Sequence, residues 1–205
     1  MKKIFAFILP LFLLVACAKP QEEQKVNENT KKILDNKKSL VVFFSKTGEN
    51  YGVGNIKIGN THKVAVEIAK QTNGTLFEIK PVKEYPDGYK ECVEIAKQEK
   101  ARKARPAIKG KAENIAQYDI IYLGFPNWAN DAPMPVYTFL ESYNLKGKQI
   151  YPFVTHEGSG IGNTVNSLKE TFPGLTFNDG LAIYGHIAQN DAPFVEKTVK
   201  NWLNK

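Results

Sequence analysis

From Ser39 onward, short apolar runs alternate with amphipathic helical stretches, and this alternation leaves few folds open. Leu40 to Phe44 is continuously apolar, as in a strand buried on both faces. Asn60 then caps a helix whose apolar face is Val64, Ala65, Ile68 and Ala69, ended by Asn73-Gly74. Thr75 to Ile79 is a second strand, and Tyr89, Cys92, Val93 and Ala96 mark a second helix that stops before Pro106. Ile120 to Gly124 is a third strand. Pro135 begins a helix with Val136, Phe139, Leu140 and Tyr143 at i, i+3, i+4 and i+7. Ile150 to Val154 is a fourth strand, followed by a helix marked by Val165, Leu168 and Phe172 and stopped by Pro173-Gly174. A last strand falls within Leu175 to Ile183, and a final helix covers Asp191 to Leu203. Five β-α units with short connections imply an open parallel sheet with helices on both faces. Pro152 is discordant, because a proline inside a strand has no ladder donor and points to an edge or a bulge.

The N-terminus reads differently. Lys2 and Lys3 precede an apolar run from Ile4 to Val15, the pattern of a secretory signal rather than a bilayer span. Leu14-Val15-Ala16-Cys17 follows, and this resembles a bacterial lipoprotein signal: cleavage of residues 1–16 leaves Cys17 as a lipidated N-terminus. By resemblance to the sorting signals of double-membrane bacteria, Ala18 after the cysteine implies the outer membrane. In residues 18–38, ten of 21 residues are charged and none is aromatic, so residues 17–38 form a flexible tether. The folded domain is expected over residues 39–205. Loss of Lys2 and Lys3 reduces 28 basic residues to 26 against 21 acidic ones, a balance of +5. With Cys17 in the leader, Cys92 has no partner for a disulfide.

An open parallel sheet binds ligands at the carboxyl ends of its strands. Three loops there have unusual composition. Ser45-Lys46-Thr47-Gly48, with Gly59-Asn60-Thr61 at the helix start, suits an anion. Gly124-Phe125-Pro126-Asn127-Trp128-Ala129-Asn130 offers a planar aromatic beside polar backbone. Thr155-His156-Glu157-Gly158-Ser159-Gly160-Ile161-Gly162 holds glycines that let the backbone approach a ligand.

These three segments, with Pro133-Met134-Pro135-Val136-Tyr137-Thr138-Phe139-Leu140-Glu141, resemble the flavodoxin-like family, in particular its bacterial flavodoxin-like branch. The resemblance covers nearly all of residues 39–205. It implies a three-layer α/β/α fold around a five-stranded parallel sheet in the order 2-1-3-4-5, with FMN as cofactor. It assigns Ser45, Thr47, Asn60 and Thr61 to the FMN phosphate. Pro126, Asn127, Trp128 and Ala129, with Thr155, His156, Glu157, Gly158 and Gly160, would clasp the isoalloxazine ring. Two departures stand out. Ten residues, Glu49 to Ile58, separate the two halves of the phosphate loop. The domain is also basic where ordinary flavodoxins are acidic, which puts flavodoxin-like docking onto basic redox partners in question.

The resulting expectation is an FMN-binding redox protein of the cell envelope, serving electron transfer or flavin-dependent reduction with a partner the sequence does not name. The alternative is a cofactor-free, lipid-anchored binding module on the same fold. A receiver-like signalling domain is excluded, because Ser45 and Gly124 stand where it needs carboxylates. The histidines lack metal-ligand spacing, and an exported chain is not expected to meet nucleic acid. Trp128 reads either as a flavin-stacking ring or as packing. His156 and Glu157 read as backbone contacts or as a proton source, and Cys92 reads as core. The basic run Lys97 to Lys111 reads as a solvated helix end or as a contact for anionic lipid or an acidic partner.

Overall fold

The computed structural model describes residues 37–205. In chain order the elements are β1 (Ser39–Phe43), β2 (Gly48–Asn50), β3 (Gly54–Ile56), α1 (Asn60–Thr72), β4 (Thr75–Glu78), β5 (Lys80–Pro81), α2 (Tyr89–Ala101) and β6 (Ile108–Lys109). A 3-10 turn at Ile115–Gln117 leads into β7 (Ile120–Pro126), then α3 (Met134–Ser142), β8 (Gln149–His156), α4 (Thr164–Thr171), β9 (Thr176–Phe177), β10 (Leu181–Tyr184), α5 (Gly185–Asn190) and α6 (Ala192–Leu203). The leader, Cys17 and most of the tether lie outside the described residues.

The central sheet runs β4-β1-β7-β8-β10, all pairs parallel, which is the expected order 2-1-3-4-5. Alternation along β1 decides which helix covers which face. Val41 and Phe43 pack with Val64 and Ile68 of α1 and Val195, Val199 and Trp202 of α6. Leu40 and Val42 point the other way, with Phe44 beyond them, onto Val136, Phe139 and Leu140 of α3 and Leu168 of α4. Truncating the fully buried Phe139 to alanine would cost about 3–5 kcal/mol.

Pro152 sits inside β8, a central strand, and the neighbouring strand absorbs the anomaly. Ile150 turns its carbonyl towards the β9 side, where it accepts from Asn178 N (2.8 Å). Two residues on, Pro152 faces the same way, towards the gap where β9 has ended at Phe177 and β10 has not begun. The last strand is therefore two pieces rather than one, and no donor is missed at the proline.

Two further local results differ from the sequence reading. Asn60 is the first residue of α1, and Gly59 holds the cap position in extended conformation. The cap side chain comes instead from Ser45, whose Oγ accepts from His62 N at 3.1 Å. The insert Glu49 to Ile58 is a β2–β3 hairpin, pinned at its base by Glu49 N donating to Asp87 O at 2.9 Å.

Candidate functional site

A cavity of about 440 Å³ opens at the carboxyl ends of β1, β7 and β8. Its floor comes from Asn60, Pro126, Asn127 and Thr155, and the hairpin contributes Glu49, Asn50 and Tyr51. The remaining wall is α2. That helix buries only Cys92 and Glu99, and its stripe Tyr89, Cys92, Val93 and Ala96 faces the cavity rather than the sheet core.

The narrow end is built from hydrogen-bond donors. Gly59 meets the β1 loop so closely that an added Cβ would lie 2.1 Å from Ser45 Oγ and 2.6 Å from Lys46 O. The two halves of the loop, ten residues apart in sequence, are thus rejoined in space and the hairpin is extruded between them. Ser45 Oγ accepts from His62 N, which leaves its own proton free to donate. Gln189 Nε2 donates to Asn60 Oδ1 (2.8 Å) and to Ile58 O (2.8 Å). This fixes the Asn60 amide with its NH₂ turned to donate. The first turn of α1 adds N–H groups without intrahelical partners. A donor-only set at a helix N-terminus suits a phosphate-type oxyanion. Lys46 is not part of it: Nζ donates to the carbonyls of Thr47 (2.8 Å), Glu49 (3.1 Å) and Asp87 (3.0 Å), tying down the hairpin.

The wide end is aromatic. Trp128 lines the cavity and is held edge-on by Phe44 (centroids 5.2 Å apart) and Tyr85 (5.0 Å). Tyr85 is held in turn by the buried Glu99, whose Oε2 accepts from its hydroxyl at 2.5 Å. Burial, then the Glu99 hydrogen bond, push the Tyr85 phenol well above its ordinary pKa. Trp128 and Asp131 exchange both backbone hydrogen bonds (2.9 and 3.0 Å), with Ala129 (φ 52°) and Asn130 (φ 61°) between them in left-handed conformation. Alanine there costs roughly 1–2 kcal/mol, offset by anchors around the turn. Lys100 Nζ donates to Ala129 O (2.8 Å), and Asp131 Oδ1 accepts from Tyr137 (2.7 Å).

The third loop closes the remaining side. Glu157 presents a carboxylate that accepts from His186 N (2.7 Å), with His186 Nδ1 at 2.7 Å from its second oxygen. His156 Nδ1 accepts from Gly158 N (3.0 Å), and burial holds its imidazole below the usual range against the raising effect of Glu157. The tip of the hairpin reaches this loop: an added Cβ at Gly52 would sit 2.9 Å from Glu157 Cγ and Cδ. The insert therefore bridges the first loop and the third.

Of the residues singled out from sequence, Asn60, Pro126, Asn127, Trp128, Ala129, Thr155, His156 and Glu157 share the cavity wall. Ser45 stands behind Asn60 as the cap. Thr61 is buried, and its hydroxyl pairs with Thr155 Oγ1 at 2.8 Å, joining α1 to β8 rather than facing an anion. Thr47 is exposed at the hairpin base and lies off the wall, because the chain turns away there into β2. Gly158 and Gly160 also lie off it, and their positive φ values (109° and 59°) turn the loop. Ser159 takes the wall position between them. Cys92 is buried as expected, yet it fronts the cavity and not the main core. The hairpin residues, Tyr89 and Gln189 were missed. For Tyr89 the sequence carried only a weak signal, its place at the start of α2 just after Pro86-Asp87-Gly88.

The family model described as Flavodoxin matches residues 38–205. The chain belongs to the flavodoxin family. Among solved structures, this flavodoxin-family chain is 33% identical to a candidate flavoprotein of Bacteroides eggerthii, with a TM-score of 0.65, covering 82% of this chain and 97% of that one. A candidate flavoprotein of Bacteroides uniformis is 32% identical, with a TM-score of 0.67 and coverage of 82% and 99%. A flavoprotein of Lactobacillus acidophilus, solved in complex with FMN, shares the fold at 23% identity, with a TM-score of 0.59 and coverage of 71% and 93%. A comparison with curated proteins finds no match.

Proposed function

We propose that this flavodoxin-family chain is an FMN-binding redox protein of the cell envelope, held at a membrane by lipid on Cys17. The observation that carries the flavin reading is the donor-only cradle of Ser45, Asn60 and the α1 start, opening into a cavity walled by an indole. The cradle fits the phosphate, and a cavity of about 440 Å³ is of the size that takes a planar ligand. Family membership and the two Bacteroides relatives support the same reading. Bound FMN supplies one- and two-electron transfer at its isoalloxazine ring. The chain's own groups do the rest. Ser45 and Asn60 orient the phosphate, Trp128 offers a stacking face, and the hairpin and α2 exclude water from the ring. The site suits electron transfer to a partner and flavin-dependent reduction alike.

The envelope half rests on Lys2-Lys3, the apolar run Ile4 to Val15 and Leu14-Val15-Ala16-Cys17. Among the described residues no helix is long and apolar enough to cross a membrane, so attachment would rest on the acyl chains. Ala18 favours the outer membrane where there are two. Fatty-acid labelling tests this: Cys17→Ala should abolish label, and equal label in both forms would refute it.

The flavin reading is tested by the colour of the purified protein and by titration with FMN and riboflavin. FMN should bind roughly 100-fold more tightly or better, as expected for several charge-assisted hydrogen bonds to phosphate. Trp128→Ala should weaken binding and relieve fluorescence quenching. A colourless protein that refuses added FMN would instead favour the cofactor-free binding module.

A further inference from the structure

The basic run that follows α2 is only partly neutralised. Residues 100–111 carry six Lys and Arg and no carboxylate. Carboxylates from elsewhere meet three of the six: Asp131 lies 3.5 Å from Lys100, Glu141 2.8 Å from Arg105 and Glu84 2.8 Å from Lys109. Arg102, Lys103 and Lys111 are exposed and form no ion pair among the described residues. Lys83, exposed and equally unpaired, joins them from the segment after β5.

The β5–β6 ribbon sorts these residues by side. Its strands are antiparallel, with Lys80 opposite Lys109 and Pro81 opposite Ile108. Val82 N donates to Ala107 O at 2.8 Å, which extends the pairing by one step. Pro81 is buried and Ile108 packs on the core, so the pleat turns Lys80, Val82, Ala107 and Lys109 outward together. Like charges directly opposite one another destabilise a strand pair, yet Lys80 and Lys109 hold that relation on the outward face. Glu78 (3.1 Å from Lys80) and Glu84 offset part of the repulsion. Val82, between Lys80 and Lys83, is 56% exposed. The outward face is thus an apolar centre ringed by ammonium groups.

We propose that the β5–β6 ribbon, with the segment that joins α2 to β6, docks on the anionic phospholipid headgroups of the bilayer that carries the chain. The inference rests on the envelope reading, with lipid on Cys17. Charge complementarity favours this occupant, and so does residue type. Lysine outnumbers arginine six to two across the ribbon and residues 100–111. Protein interfaces are depleted in lysine and enriched in arginine, whereas a mobile, strongly hydrated ammonium suits a diffuse layer of headgroup phosphates. Reach favours it as well. Cys17 stands twenty residues before Lys37, a span of at most about 70 Å. A lipid at Cys17 therefore keeps the ribbon at high effective concentration beside the bilayer. The basic segment begins at the cavity, where Lys100 Nζ donates to Ala129 O. Docking thus settles the domain with that side of the cavity towards the membrane.

The test uses the full lipid-bearing chain on vesicles of phosphatidylcholine alone or of phosphatidylcholine mixed with phosphatidylglycerol. Amine acylation followed by peptide mass analysis reads each lysine. Lys83, Lys103 and Lys111 should react roughly tenfold more slowly on the anionic vesicles, given several cations near the surface. About 1 M salt should abolish the difference, since screening then acts within about 3 Å. Lys197 and Lys200, on the helix covering the other face of the sheet, should react alike on both. Lys83→Gln, Lys103→Gln and Lys111→Gln combined should lower the docked-to-free ratio roughly 100-fold, about fivefold for each cation. Lys80 and Lys109 should then react as they do on neutral vesicles, with the urea midpoint unchanged. Equal reactivity on both vesicles, for a protein that floats with both, overturns the inference and leaves the anchor standing. Protection found in whole cells but not on anionic vesicles gives the surface to an acidic protein and overturns it too. A chain that carries no lipid and floats with neither vesicle overturns the envelope reading, and this inference with it.

Discussion

Gly59→Ala is the sharpest test of the claim that the phosphate loop is rejoined across its insert. The added methyl would lie 2.1 Å from Ser45 Oγ and 2.6 Å from Lys46 O. Ser45 could swing aside, but the Lys46 oxygen is backbone and must move with its chain. Displacing Ser45 breaks its 3.1 Å contact with His62 N, worth about 1 kcal/mol as a helix cap. Overpacking the loop adds about 1–3 kcal/mol. The fold should therefore lose about 2–4 kcal/mol, a fall in Tm of roughly 4–16 °C for a domain of this size. FMN binding should suffer more than riboflavin binding, because the donors that move are those aimed at phosphate; the ratio of the two affinities should fall at least about tenfold. Gly174→Ala is the control, since nothing lies within 4 Å of its Cβ position. Calorimetry and parallel titrations with the two flavins read both effects. An unchanged FMN-to-riboflavin ratio in a folded Gly59→Ala protein would refute the cradle.

Gln189→Ala should weaken FMN by about 1–2 kcal/mol without touching the cavity, because it frees the Asn60 amide and drops the Ile58 carbonyl; isothermal titration checks it. Tyr85→Phe strands the buried Glu99 carboxylate and should cost about 1–3 kcal/mol in urea unfolding, with Tyr85→Phe plus Glu99→Gln recovering part of the loss. Burial pushes the Cys92 thiol up to about 11, so the folded state holds its proton where the unfolded chain has lost it. That contribution is intact below about pH 9 and drains away as pH rises to about 11, roughly 3 kcal/mol in all. Cys92→Ala should flatten that part of the stability profile, and an identical alkaline slope would refute the assignment.

Much of this architecture could be read directly from residue order. Strand order, helix positions and the strand-end loops follow from apolar runs and turn residues, which act locally. What escaped was set by contacts between distant residues. The buried Thr61 pairs with Thr155, and nothing near either threonine announces it. Ser45 replaced Asn60 as the cap because Gly59 lies against the β1 loop, a closeness that exists only after the hairpin folds out. The broken last strand follows from Pro152, whose two readings, edge or bulge, could not be separated without knowing which neighbour faced its nitrogen. Gln189 lies 129 residues from Asn60, beyond any motif.

The β2–β3 hairpin leaves the β1 loop and returns to it at nearly the same point, with Lys46 and Gly59 in contact. Because both ends of the hairpin meet there, a change of length at the tip, Tyr51 to Val53, need not separate Ser45 from Gly59. A chimaera carrying another tip should keep the Ser45–His62 cap while losing what Tyr51 and Gly52 give the cavity wall.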